Sequence, residues 1–363
     1  MRKLRIIGLI GLAGLFGQMN AQTFSTIDSV AITSVKDQNK TGTCWCFSTL
    51  SFLESEVLRT KGIELDLSEM FLVNHNMQDR AAYYIRQHGE CLYSPGGQAY
   101  DVIYCMEHYG LVPQEAMPGI QYGDTLPNHN EVDAVSKGFL NGLLSGKVKK
   151  LSPVWKDAFQ TIWDTYLGKC PEKFSFGGKE YTPLSFVNFL GLKASDYVTI
   201  TSYTHHPFYE RFALEVPDNW RMHPMYNVPL AEMMDIIDNA IWNGYSVAWD
   251  ADMSEKGFTR KGLGMLKDPS DSLAVEPVVT QEMRQEEYDN WLTVDDHLMH
   301  LFGTAKDENG TPYFMVKNSW GTQKSDYKGI WYVTRPYVAS KTLCIMVHKD
   351  AIPRPIKRKL GIK

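Results

Sequence analysis

Cysteine is sparse in this chain and follows no framework. Six residues, Cys44, Cys46, Cys91, Cys105, Cys170 and Cys344, are scattered over 363 positions. Their spacing fits neither a disulfide scaffold nor a zinc site. An excess of one charge is also missing. Thirty-seven Lys and Arg against 42 Asp and Glu leave a net charge of −5, which implies no nucleic-acid partner and no membrane-binding field. Disorder is excluded by the reverse of an absence: 44% of residues are hydrophobic and 12% aromatic. That composition fills one large or two modest cores.

The apolar run at the N-terminus, Ile6–Phe16, is too short to span a bilayer. It follows a basic start at Arg2, Lys3 and Arg5 and precedes Gln18-Met19-Asn20-Ala21. Residues 1–21 therefore read as a signal peptide cut after Ala21, with no cysteine to carry a lipid. The expected destination is the bacterial periplasm or the extracellular space.

What is present is concentrated in Gln38-Asn39-Lys40-Thr41-Gly42-Thr43-Cys44-Trp45-Cys46-Phe47-Ser48. A polar, Gly-containing run ends at Cys44. An apolar-periodic segment (Trp45, Phe47, Leu50, Phe52, Leu53, Val57, Leu58) follows and stops at Gly62. The pattern predicts a loop entering a helix, with Cys44 in the first turn. The helix dipole there favours thiolate, the nucleophilic form. Gln38 offers an amide donor that, with the Cys44 N–H, can hold an oxyanion.

A base and its orienter are expected near the other end, in Asp295-Asp296-His297-Leu298 and Lys317-Asn318-Ser319-Trp320-Gly321. Leu298–Thr304, the polar Lys306–Gly310 and Tyr313–Lys317 read as a β-hairpin. Pairing His297 opposite Asn318 puts the pivot between Asp307 and Glu308, which requires a longer or bulged loop. A tight turn on Asn309-Gly310 alone would instead pair His297 with Thr322. Asn318 would then hold one ring nitrogen of His297 while the other faces Cys44.

These motifs, Gln-x5-Cys-Trp-x-Phe-Ser, Asp-His and Lys-Asn-Ser-Trp-Gly, in that order, resemble the papain superfamily of cysteine peptidases. Leu67-Ser68-Glu69 and Leu111-Val112-Pro113 are similar to further segments of that superfamily. The resemblance implies an α+β, two-lobed papain-like fold, with a helical lobe carrying Cys44 and a β-barrel-like lobe carrying His297 and Asn318. It also implies that Gly96 and Gly97 line the cleft and bind substrate, and that Trp320 shields the His297–Asn318 hydrogen bond. Cys44 must then stay free, which leaves an odd number of other cysteines. They read as buried thiols packed as small hydrophobes, Cys46 facing the core.

Along the chain, Ser68 reads as an N-cap of a helix running to about Tyr84, and Ala99–Tyr109 as a helix closed by Gly110. Glu131–Leu144, Pro153–Leu167, Pro183–Leu190 and Leu230–Trp242 have helical periodicity. Gly244–Asp250 reads as a strand and Lys267–Glu287 as a polar surface loop. His205 and His206, without helical spacing or Cys or Asp partners, read as surface or packing residues. Cys44 and His297 lie 253 residues apart, against about 130–150 in papain and cathepsins. The span 128–244 therefore reads as a largely helical insertion in a peptidase domain covering 22–363.

The insertion, the short Gln22–Asp37 stretch in place of a prosegment, Gly-Gly-Gln before a helix and Trp-Asp-Ala-Asp-Met make the chain similar to the bleomycin hydrolase/aminopeptidase C branch. That branch implies a C-terminal arm in the cleft, its carboxylate meeting the substrate's free amine, and a hexameric homo-oligomer. Here the tail, 354–363, is short and basic, the pattern of a solvated end. The export signal and shorter length also depart from the branch. The expected activity is hydrolysis of peptide substrates through a covalent thioester, as an aminopeptidase. Catalytic residues are Gln38, Cys44, His297 and Asn318, with no metal and no organic cofactor. The alternatives are a broad papain-like endopeptidase and a non-catalytic binding protein on the same fold.

Overall fold

Helix α1 spans Cys44–Lys61, and every residue from Trp45 to Val57 is buried. Gly62 closes it in a left-handed conformation (φ 65°), its N–H on Leu58 O at 2.9 Å, where a side chain would be strained. The computed structural model describes residues 22–146, 149–271 and 273–363. The leader read over residues 1–21 lies outside them.

Around α1 gather α2 (Glu69–Arg86), α3 (Ala99–His108), α4 (Asn130–Ser145), α5 (Trp155–Leu167) and α6 (Pro183–Leu190). Ser68 caps α2 by accepting from Phe71 N at 3.2 Å. One apolar core, with Leu50, Phe52, Leu53, Phe71, Val102 and Trp163 buried in it, joins these helices.

The other half is a ten-stranded sheet. Its strands begin with β1 (Phe24–Ser29). After the separate small hairpin of β2 (Phe174–Phe176) and β3 (Lys179–Tyr181) come β4 (Tyr197–Thr201), β5 (Arg211–Ala213) and β6 (Pro224–Asn227). These are followed by β7 (Val247–Ala251), β8 (Leu263–Gly264), β9 (His297–Asp307), β10 (Pro312–Lys317), β11 (Ile330–Thr334) and β12 (Thr342–His348). The spatial order is β5-β6-β4-β12-β7-β9-β10-β11-β8, with β1 also on β9. Helices α7 (Leu230–Trp242), α8 (Gln281–Asp289), α9 (Arg335–Lys341) and α10 (Arg354–Leu360) complete this half. A second core runs from α7 through Trp249, Leu301, Val316 and Trp331 to Ile356 and Leu360.

Two expectations change. Region 128–244 contains α4 to α7, but β4, β5 and β6 also belong to it, and β4 pairs with β12 inside the main sheet. The β-branched run Val198-Thr199-Ile200-Thr201 carries that strand. The stretch 267–287, expected to be a loop, contains most of α8. Thr280 caps it, accepting from Met283 N. Its apolar content is low because its anchor is a cation: buried Arg284 donates to Ser202 O, Ala339 O and Ser340 O and lies over Tyr203. Periodicity of apolar residues cannot report such a helix.

The two halves meet along a polar seam on α1. Lys317 Nζ donates to Ser51 Oγ at 2.7 Å and Thr33 Oγ1 at 3.1 Å, and Thr33 Oγ1 donates to Glu54. Glu54 also accepts from Leu67 N at 2.9 Å, and Ser51 Oγ meets His300 Nδ1 at 2.8 Å. Burial pushes Lys317 down to about 8, with Glu54 opposing it. Lys317 and Glu54 are linked through Thr33, and removing Glu54 leaves the buried Thr33 hydroxyl and Leu67 N–H without their acceptor. Glu54→Ala is therefore expected to lower stability by about 1–3 kcal/mol for each donor so stranded. Urea unfolding followed by fluorescence checks this, and a loss near zero would show that these donors do not depend on Glu54.

Candidate active site

Cys44 is the first residue of α1 and half-buried. The opening N–H groups of a helix have no partner inside it, and the Cys44 N–H is one of them. A backbone hydrogen bond from Leu298 reaches the thiol, which puts the start of β9 beside the sulfur. The Gly-Gly loop is fastened alongside, with Trp45 Nε1 donating to Pro95 O at 3.0 Å.

His297 opens β9 and is buried. Its Nε2 lies 2.8 Å from Asn318 Oδ1. The same Oδ1 accepts from Ser319 N at 2.7 Å, which fixes the amide orientation. Nε2 therefore carries the proton and Nδ1 is left with its lone pair. The ladder reaches this arrangement differently from the expected pairing. Met315 faces Gly303 but Val316 faces Leu301, a bulge at Phe302, and Lys317 faces His300. His297 itself pairs with Ala251 of β7. His297 and Asn318 are thus not directly opposed. Asn318 has left β10, its N–H bonded to Gly329 O at 3.1 Å, and its side chain reaches back to the ring. Trp320 stacks on His297 with centroids 4.9 Å apart and 29° between planes.

Gln38 is buried next to this corner. Gln38 N donates to Ser319 O at 2.8 Å, and Ser319 Oγ donates to Gln38 Oε1 at 2.6 Å. Gln38 Nε2 donates to Thr41 O at 2.8 Å, with its second hydrogen remaining. One residue, Ser319, therefore orients both Asn318 and Gln38. It lay unread inside the Lys-Asn-Ser-Trp-Gly motif.

A cavity of about 350 Å³ opens at Cys44, lined among others by Gly42, Pro95, Gly96, Asp218, Asp295 and Asp296. Gly96 is a wall by necessity. A Cβ there would come within 2.0 Å of Asp218 Oδ2, and its carbonyl is taken by Arg80. Gly97 packs behind it, where a Cβ would lie 2.9 Å from Asp101 and 3.1 Å from Trp45. Arg80 and Asp218, joined at 3.3 Å, were not singled out from sequence. They are far apart in the chain and carry no motif.

Burial and nearby carboxylates act against the helix dipole at Cys44. Burial pushes the Cys44 thiol up to about 12, the Leu298 hydrogen bond opposes this, and Asp295, Asp250 and Asp218 add to it. Burial pushes His297 down to about 4, with the Asn318 hydrogen bond opposing. Burial and the nearby carboxylates favour the thiol at Cys44, and burial favours the neutral imidazole at His297. Asp250 and Asp295 are both raised, through burial and then mutual proximity for Asp295.

The helical half and the sheet half, with Cys44 at the start of α1 and the His297–Asn318 pair at the start of β9, have the two-lobed form of a papain-like cysteine peptidase. The Peptidase C1-like family matches residues 16–362, and the chain belongs to it, in the bleomycin hydrolase/aminopeptidase C branch. Aminopeptidase G of Lactobacillus delbrueckii subsp. lactis is 22% identical over 375 residues, covering 88% of this chain and 82% of that protein. Aminopeptidase E of Lactobacillus helveticus is 23% identical, covering 87% and 81%. Among solved structures, PepW from Lactobacillus rhamnosis HN001 superposes with a TM-score of 0.75 at 18% identity, over 94% of this chain and 85% of that one.

Asp218→Asn removes one negative charge that opposes the thiolate. The pH midpoint for alkylation of Cys44 by iodoacetamide, followed by mass spectrometry of its peptide, is expected to move down. An unchanged midpoint would show that the sulfur does not feel Asp218.

Proposed function

We propose that this cysteine peptidase is an aminopeptidase in which Cys44 is the nucleophile. The substrate carbonyl is attacked by sulfur as His297 Nδ1 takes the thiol proton, and a tetrahedral intermediate forms. Gln38 Nε2 and the Cys44 N–H hold its oxyanion. His297, oriented by Asn318, returns the proton to the leaving amine, and a thioester remains on Cys44. His297 then draws a proton from water, which attacks the thioester and releases the carboxylate product. Trp320 keeps water from the His297–Asn318 bond. Gly96 leaves room for the substrate backbone beside its Arg80-bound carbonyl.

The observation that supports an exopeptidase is the carboxyl lining of the cavity. Asp218, Asp295 and Asp296 line the space at Cys44; burial raises Asp295 and Asp296, and a free substrate ammonium beside them favours their ionised form and complements it. The chain's own tail plays no such part in this reading. Ile356 and Leu360 of α10 are buried in the sheet-side core, and Lys359 pairs with Glu232. No tail residue lines the cavity. The counter-charge that the resemblance gave to a terminal carboxylate falls here to aspartates.

Two outcomes are expected. Cys44→Ala lowers turnover on the order of 10⁴-fold with unchanged far-UV circular dichroism, and substantial residual turnover would reject the nucleophile. Acetylating the N-terminus of a fluorogenic peptide lowers kcat/KM by about 10- to 100-fold, equivalent to one charge-assisted hydrogen bond of about 1.5–3 kcal/mol. Equal turnover on both peptides would indicate an endopeptidase with an open cleft.

A further inference from the structure

His205 and His206, which offered no metal-ligand spacing in the sequence, acquire a third partner in the fold. The chain leaves β4, turns and returns as β5, and Glu215 follows two residues after β5 ends. His205 Nε2 lies 3.0 Å from Glu215 Oε2, and His206 Nε2 lies 3.0 Å from Glu215 Oε1. The ligand atoms of all three residues fall within 4.8 Å of one another. Two imidazoles and a carboxylate gathered this closely are a zinc-type donor set. Three protein ligands leave one position for water.

Both rings are held from behind. Gln285 presents His205 Nδ1 with an acceptor at 3.3 Å and a donor at 3.1 Å. The ring can therefore carry its proton on Nδ1 and free Nε2, the outer support that metal-bound histidines ordinarily have. His206 stacks on Phe212 with centroids 4.1 Å apart and 21° between planes. Its backbone is fixed by Asn227 Nδ2 on His206 O at 2.9 Å. Tyr288 OH donates to Glu215 O at 3.0 Å. The side chains of His205, His206 and Glu215 remain 27%, 37% and 54% exposed, so an ion in solvent can reach them.

We propose that His205, His206 and Glu215 form a binding site for a borderline divalent transition metal of the zinc class, and that the bound ion braces the wall of the peptidase cleft. Imidazole ligation excludes magnesium and calcium as the preferred ions. The brace follows from the chain. Glu215 leads directly to Pro217 and Asp218, both on the cavity at Cys44. A short turn connects them, with Val216 N on Leu214 O at 2.9 Å and Asn219 N on Val216 O at 3.1 Å. An ion tying Glu215 to the β4–β5 connection fixes the base of that turn. The ion takes no part in the acyl transfer at Cys44.

The test uses the full chain carrying Cys44→Ala, so that the active-site thiol cannot compete for the metal, after dialysis against a chelator. Titration with zinc chloride by calorimetry is expected to give one saturable site and an increase in Tm. His206→Gln and Glu215→Gln are each expected to weaken binding at least about tenfold and to abolish the Tm increase. Their circular dichroism without metal should match the parent. Cobalt(II) should give visible bands of low-symmetry coordination in the parent alone. Peptide affinity, read by anisotropy of a labelled peptide, should rise on zinc saturation in the parent and not in His206→Gln. Zinc binding of equal strength in parent and variants, or no saturable binding, would overturn the site. Zinc saturation without a change in peptide affinity would overturn its link to the cleft.

Discussion

The placement of α1 between two cores is the constraint on which the active site depends. Its apolar residues pack into the helical half, while Ser51 and Glu54 face Thr33, His300 and Lys317 from the sheet side. A helix with only an apolar surface could slide or rotate against the sheet, since the hydrophobic effect is non-directional. Hydrogen bonds to Lys317 are directional, and breaking them inside a dry interface is costly. Lys317 is followed at once by Asn318, so the seam that docks α1 also sets the distance from Cys44 to the residue that orients His297.

The same economy appears at Ser319. Through N–H, C=O and hydroxyl it binds Asn318 Oδ1, Gln38 N and Gln38 Oε1. Asn318, which is bonded to the His297 ring, and the buried Gln38 amide are therefore parts of one hydrogen-bonded corner. Such a corner is preorganised, and the donors do not have to reorganise as charge develops. The acidic wall opposite acts in the other direction. Asp218, Asp250 and Asp295 add to the rise that burial gives the Cys44 thiol.

Much of this was legible in the residues. The start and stop of α1, the Ser68 cap, and α6 and α7 follow from local pattern and capping chemistry, which act over a few residues. The hairpin that carries His297 and Asn318 was also readable, but its register was not. A single bulge at Phe302 shifts every later pair by one. Nothing in the local apolar alternation marks it, because β9 is buried on both faces. Helix α8 escaped for a related reason, since what holds it is Arg284 on distant carbonyls. The strands inside 128–244 were masked by the aromatic helices around them.

The sequence by itself identified the class: a cysteine at a helix start, a histidine and an asparagine at the open end of one hairpin, and a glutamine upstream, in the order that resembles the family. Those features depend on residue type and short spacing, which a linear chain records. Only the tertiary structure decided the surroundings. It brought Asp218 onto Gly96, placed Asp250 against Asp295 behind the thiol, laid the tail on the sheet-side core, and set Glu215 between His205 and His206. Each of these is a long-range juxtaposition of ordinary polar residues, and its electrostatic effect depends on distance and burial, which a sequence does not contain.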